Sequence, residues 1–273
     1  MANEQYIYQD RAVVFLDVLG FQEKLKEFQN EAIQNKEVNN TEFYVSAAVD
    51  EFINTFKSVV NFLNENDYRY YLFSDNICIT IDFSQNRNSL IDILITINDL
   101  FFKFAQKGYF LRGGLDVGKF VDEKDIAIGI PLANAYKIEQ SVAMFPRIVL
   151  SEAYKRLLDN LEAERLISDD LIIKKNFLVK QHCEVFYINT FFNLFDNENK
   201  IELLQSIRQS ISINITSNTN NEKNTIKYEW LAREFNYFLD EYISQLMFLE
   251  TNFITSEEEV ETIKSLKFTE YAK

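Results

Sequence analysis

Residues 12 to 18, AVVFLDV, run apolar with one interruption, the carboxylate of Asp17. A continuous run of this kind reads as a strand buried on both faces, and such a strand needs a sheet covered by other elements. Leu19-Gly20-Phe21 follows directly, so the strand ends in a turn. Burying an unpaired carboxylate is costly, so Asp17 requires a metal ion, a cationic side chain or hydrogen bonds as its partner.

The pattern around this strand predicts its neighbours. Val45, Val49, Phe52, Phe56, Val59 and Leu63 recur at spacings of three and four, with Asp50, Glu51, Asn54 and Lys57 on the other side, which predicts an amphipathic helix. Residues 68 to 73 and 76 to 83 are β-prone stretches around Ser74-Asp75 and read as a hairpin, with Ile77, Ile79 and Ile81 on one face. Asn88 can cap a helix over 89 to 107, and Gly108 is placed to end it. Strand composition resumes over 109 to 121, where Gly113-Gly114 suggests a bulge or a close backbone approach.

The resulting order is βαββαβ, the ferredoxin-like or split βαβ arrangement of an α/β (α+β) fold. In that arrangement strand 1 lies beside the third strand and runs antiparallel to it. Asp17 and Asp75 are then brought to the same end of the sheet. Singly, Asp17 could serve its turn and Asp75 could be a hairpin residue accepting backbone bonds. Together they repel unless protonated or bridged, and a divalent cation removes the conflict.

Beyond this core the pattern predicts a loop entering a helix over 129 to 139, a short strand over 147 to 150, and a helix from Ser151 to about residue 160. It further predicts strands over 171 to 175 and 184 to 188, and helices over 199 to 213 and 226 to 250, separated by the polar stretch 214 to 224. We divide the chain into a unit spanning 1–195 and a C-terminal helical appendage, 196–273.

Composition excludes several classes. The formal net charge is −14, unfavourable for binding a nucleic acid backbone, so nucleic acid is not expected as a partner. No run of about 18 apolar residues occurs and the N-terminal MANEQYIYQDR is polar, so a cytoplasmic protein without membrane contact is expected. Two cysteines, Cys78 and Cys183, without a Cys/His cluster argue against a disulfide framework or zinc site. Six glycines and two prolines indicate regular elements joined economically.

FLDVLGF at 15 to 21 resembles the class III nucleotidyl cyclase signature, in which a metal aspartate precedes a turn ending in Gly-Phe. Three further blocks agree in order: YLFSDNICIT resembles the family's hairpin with its second metal aspartate, LRGGLDVGKF its glycine-containing strand, and GIPLANAYKIE with FPRIVLSEAY its dimer-arm and helix region. The resemblance spans roughly residues 12 to 158, and within the family it is most similar to the bacterial uridylate and cytidylate cyclases of Pycsar antiphage defence.

The resemblance implies conversion of a nucleoside triphosphate, UTP or CTP, to a cyclic mononucleotide with two divalent ions, Mg²⁺ or Mn²⁺. Asp17, Asp75 and the Val18 backbone would hold metal. Val18, Leu19, Gly20, Phe21 and Ser74 would line the nucleotide, and Arg69 occupies the position that reads the base. Arg112 could contact phosphate or base, or pair with Asp116 or another carboxylate. Where many members have asparagine and then arginine four residues later, this chain has Ala133 and Lys137, with Asn134 displaced by one position. Lys137 keeps the charge without the bidentate geometry, or is a solvent-facing residue paired with Glu139 or Asp125. The family's adenine-reading aspartate corresponds to Ile126, beside Asp125. The resemblance also implies a homodimer with sites across the interface, Lys137 coming from the second copy, and an effector that responds to the product. A purine cyclase and a nucleotide-sensing module remain alternatives. His182 reads as structural or surface, and the stripe Trp230, Leu231, Phe235, Phe238, Tyr242, Leu246 and Leu249 as packing or dimer contact.

Overall fold

In a computed structural model, residues 6–65, 68–123, 126–194, 199–249 and 257–271 are described. The elements in chain order are β1 (Gln9–Val18), α1 (Phe21–Glu37), α2 (Ala47–Glu65), β2 (Arg69–Phe73), β3 (Asn76–Asp82), α3 (Ser89–Ala105), β4 (Leu111–Glu123), β5 (Ile126–Gly129) and α4 (Ile130–Ser141). They continue with β6 (Ile148–Leu150), α5 (Glu152–Ala163), α6 (Asp169–Leu178), β7 (Val179–His182), β8 (Val185–Ile188), α7 (Lys200–Ser217), α8 (Glu222–Leu249) and α9 (Glu257–Ser265).

One sheet takes the order β2-β3-β1-β4-β6-β8-β7, with β5 paired to β4 off that path. Strand β1 is antiparallel to both β3 and β4, so β2-β3-β1-β4 is the expected ferredoxin-like core. Ala12, Val14, Leu16 and Val18 point into the main hydrophobic cluster with Ile77 and Ile79 of β3 and the apolar side of α3. The opposite face carries Val13, Cys78 and Phe120, and α4 lies across part of it, Tyr136 meeting Phe15 edge to face at 5.4 Å.

The glycine pair marks a close approach, not a bulge: β1 and β4 stay in register from Gln9↔Phe120 to Val18↔Leu111. A Cβ at Gly114 would fall closer than 3.0 Å to the Ala135 carbonyl, and one at Gly113 equally close to that of Phe15. Gly114 therefore lets α4 lie directly on β4.

Several local expectations are corrected. Helix α1 follows Gly20 although the sequence pattern predicts nothing there; it buries only Phe21 and Phe28, too sparse a stripe to read. Residues 171 to 175 lie inside α6, not a strand, because Asp169 and Asp170 in its first turn favour a helix start over the β preference of Ile172-Ile173. Asn88 has helical dihedrals and makes no side-chain cap bond. Ser151 does cap α5, accepting from Tyr154 N–H at 3.0 Å. Cys183 lies in the turn between β7 and β8 with φ 55.

The boundary expected between 195 and 196 falls outside the described residues. On either side of it the elements share one core: Leu204, Ile207 and Ile211 of α7 and Tyr228, Leu231, Phe235 and Phe238 of α8 join the same cluster as β1, β3 and α3. Leu246 and Leu249 have side chains outside the described set. No helix of the described residues is long and apolar enough to cross a membrane.

Candidate active site

The register places Asp17 one residue before the end of β1, opposite Asn76 of β3 on one side and Arg112 of β4 on the other. Asp75 stands immediately before Asn76, in the two-residue turn that joins β2 to β3. The Asp75 carboxyl is near enough to Asp17 to raise its pKa. Ser74 beside it takes a left-handed φ of 58, unusual for a residue with a side chain and a mark of a tightly constrained turn. The Asn76 amide donates to Asp75 Oδ1 at 3.3 Å.

Charge is concentrated here. Arg112 Nε donates to Asp17 Oδ2 at 2.8 Å, and its Nη2 lies 2.6 Å from Glu139 Oε1 on α4. Glu139 is fully buried, and that oxygen has the ion pair without a hydrogen bond of good geometry. Burial pushes the Asp17 carboxyl up to about 6; Arg112 opposes the rise, while Glu139 and Asp75 add to it. Burial also raises Glu139, again opposed by Arg112. The site is an acidic cluster with more negative than positive charge.

Its chemistry fits a divalent cation. Two adjoining carboxylates repel, and a cation beside them would offset both that repulsion and the burial that lifts Asp17 above the ordinary aspartate range. Among the described residues no group of three or more His, Cys, Asp or Glu is arranged as a metal cage. An ion of the Mg²⁺ kind generally takes one or two carboxylates and completes its shell with waters and substrate phosphates.

Gly20, at φ 73, is the N-cap of α1, so the amides that open α1 face the same end of the sheet as Asp17. Val18, Leu19 and Phe21 are buried, and the Leu19 amide is already used, donating to Phe110 O at 2.8 Å. The Leu19 N–H is thus engaged within the fold.

Other expected residues lie elsewhere. Arg69 pairs with Thr80, four residues up β3 from Asn76, or about 13 Å along the strand. Its guanidinium is engaged by Asp122, which also takes Tyr71, Thr80 and Arg11. Asn134 donates to Asp116 Oδ2 at 2.8 Å, and Asp116 also accepts from the Ser151 hydroxyl, so this asparagine ties α4 to β4 and α5. Asp116 faces Val13, four residues from Asp17. Arg112 pairs with Asp17 and Glu139, not with Asp116. Lys137 is exposed on the outer side of α4 and does not join Asp17 and Asp75 within one chain; Glu139 is committed to Arg112, and Asp125 lies outside the described residues. Ile126 is exposed, at 42%.

Two site residues escape sequence reasoning. Glu139 sits inside AYKIEQS as one more helical carboxylate, and only the absence of a Cβ at Gly114 brings α4 low enough to bury it. Lys227 of α8, half-buried, is near enough for its charge to be felt by Glu139.

No protein-family model matches the sequence, and no curated protein matches it. Among solved structures, the chain is similar to the guanylyl cyclase domain of the RhoGC fusion protein from the aquatic fungus Blastocladiella emersonii. The identity there is 11% and the TM-score 0.45, over 67% of this chain and 98% of that one. It is similar to a bacterial light-regulated adenylyl cyclase at 13% identity and TM-score 0.46, over 76% and 59%. The adenylyl cyclase CyaB from P. aeruginosa gives 14% and 0.40, over 58% and 84%. The α+β fold described above rests on this chain's own strand order and register.

Proposed function

We propose that the chain is a nucleotidyl cyclase that converts a nucleoside triphosphate, UTP or CTP, to a 3′,5′-cyclic mononucleotide and pyrophosphate. The supporting observation is the meeting of Asp17 and Asp75 at the ends of adjacent antiparallel strands, with Asp17 held at a pKa of about 6 by burial and neighbouring carboxyls. The four ordered sequence blocks support the same reading.

In this reading Asp17, Asp75 and the Val18 carbonyl would hold Mg²⁺ or Mn²⁺, which when bound supplies Lewis-acid activation of the ribose 3′-hydroxyl and charge neutralisation at the phosphates. The 3′-oxygen bonds to the α-phosphorus as the bond to pyrophosphate breaks, and the hydroxyl proton leaves to solvent. Arg112 holds Asp17 in one orientation through its Nε bond. The amides at Gly20 and Phe21 face phosphate oxygens. Lys137, exposed on α4, serves the site of a second copy in a homodimer, and the product acts on an effector in antiphage signalling.

A nucleotide-sensing module is the second reading, favoured by one observation: Arg112 already neutralises both Asp17 and Glu139. Purified protein is incubated with Mg²⁺ or Mn²⁺ and ATP, GTP, CTP or UTP separately, with mass detection of products and Asp75→Ala as control. A cyclic pyrimidine that disappears in the variant is the expected result. A cyclic purine overturns the base assignment, and metal-dependent binding without product overturns the cyclase reading in favour of sensing.

A further inference from the structure

Helix α8 reaches back over the turn that follows Asp17. Its Tyr228 hydroxyl donates to Leu19 O at 3.5 Å and would sit 3.3 Å from a Cβ at Gly20, and the ring packs on Phe110 at 5.9 Å. Just before α8, the Asn221 amide donates to Glu23 Oε1 in the first turn of α1 at 3.4 Å. On its next face, Trp230 stacks on Phe145 at 5.0 Å and 15°, and the Arg147 guanidinium lies within 5.7 Å of the rings of Phe145, Tyr187 and Trp230. These contacts hold α8 against the turn after β1, the residue before β4, the segment before β6, and β8, on both sides of Lys227.

Residues 227, 230 and 234 follow one another at spacings of three and four, so they share a face of the helix. Trp230 and Glu234 on that face meet Phe145 and Tyr187. Lys227 stands at its N-terminal end, next to Tyr228, whose hydroxyl reaches the turn after Asp17, and the charges of Arg112, Asp17, Glu23 and Glu139 reach it. No described carboxylate forms a direct ion pair with Lys227, whereas Arg112 is consumed by two. A half-buried lysine on a helix that Tyr228 pins to the turn after Asp17, with no direct ion pair among the described residues, is placed to receive an anion.

We infer that Lys227 is a substrate-positioning residue that binds the polyphosphate tail of the nucleotide, supplied by α8 of the same chain that supplies Asp17 and Asp75. This rests on the nucleoside-triphosphate reading given above. The C-terminal helices then belong to the site: α8 carries the cation that the acidic cluster otherwise lacks for a polyanion, and Lys137 of a second copy acts at another part of the substrate.

The test uses the full chain and inorganic tripolyphosphate as probe, with binding measured by calorimetry with and without Mg²⁺, alongside the steady-state kinetics of cyclisation. Lys227→Met keeps the aliphatic stem and is expected to weaken tripolyphosphate binding about tenfold, to raise KM by a similar factor, and to leave the melting temperature within about 2 °C. Lys227→Arg is expected to recover most of the binding. Unchanged affinity and KM in Lys227→Met, or no tripolyphosphate binding by the wild type, overturns the inference. If binding depends on Lys227 but no cyclic product forms from any triphosphate, the polyphosphate site stands and the cyclase reading is the one that fails.

Discussion

Arg112 and Asp17, paired across β4 and β1 by register, are joined by a 2.8 Å bond from Nε to Oδ2. The same guanidinium neutralises Glu139, which has no exposure to solvent. Arg112 is therefore the pivot of the acidic cluster: it sets the orientation of Asp17 and makes burial of Glu139 tolerable.

Arg112→Ala leaves Glu139 buried without its cation, and breaking such a pair costs about 3 kcal/mol or more. The double variant Arg112→Ala/Glu139→Gln removes the orphaned charge and is expected to recover most of that loss. Urea unfolding of the three proteins measures both, and a double variant no more stable than the single one contradicts the pairing.

Asp17 has a folded-state pKa raised from 3.8 to about 6, so the folded chain binds its proton more tightly than the unfolded chain. Stability associated with this group is full below about pH 4 and is lost as pH rises through about 6. Asp17→Asn removes that loss. In chelator, the variant is expected to match the wild type near pH 4 and to exceed it near pH 7.5 by at most about 3 kcal/mol; with Mg²⁺ present, the cyclase reading expects product formation by the variant to disappear. Denaturant titrations at the two pH values check it; a stability difference that shrinks as pH rises contradicts it.

Gly114→Ala puts a methyl group against the Ala135 carbonyl and the Ile138 side chain. The expected cost is about 3 kcal/mol, with α4 lifted off β4 and Glu139 exposed. Hydrogen exchange across α4, faster in the variant than in the wild type, reports the displacement, and unchanged protection argues against the close approach.

Ser74→Gly relieves a left-handed conformation at the hairpin turn. A gain of about 0.5–1 kcal/mol is expected, read as a higher urea midpoint. Product formation by the same variant tells whether the Ser74 hydroxyl touches the nucleotide: unchanged KM means that it does not.

Much of the core was legible because the signals were local. The apolar run at 12 to 18, the paired stretches around Ser74-Asp75 and the three-four spacing over 45 to 63 each report burial on one element, and the βαββαβ order follows from them. Helix α1 and strand β5 were not legible, since α1 buries only Phe21 and Phe28 and β5 alternates exposed and half-exposed residues. Residues 171 to 175 misled because a short apolar run does not distinguish a strand from a buried helix segment.

The chain's residues alone determined that two aspartates end neighbouring strands, because strand period and connection rules carry Asp17 and Asp75 to one end of the sheet. Tertiary structure decided what surrounds them. Arg112, Glu139 and Lys227 lie on β4, α4 and α8, elements whose separate patterns carry no record of one another. Their meeting depends on how closely α4 can approach Gly114 and on Trp230 and Tyr228 holding α8 against the sheet. Charge pairing acts over a few ångströms in space, and periodicity along one element does not encode which residue of a distant element will occupy that space.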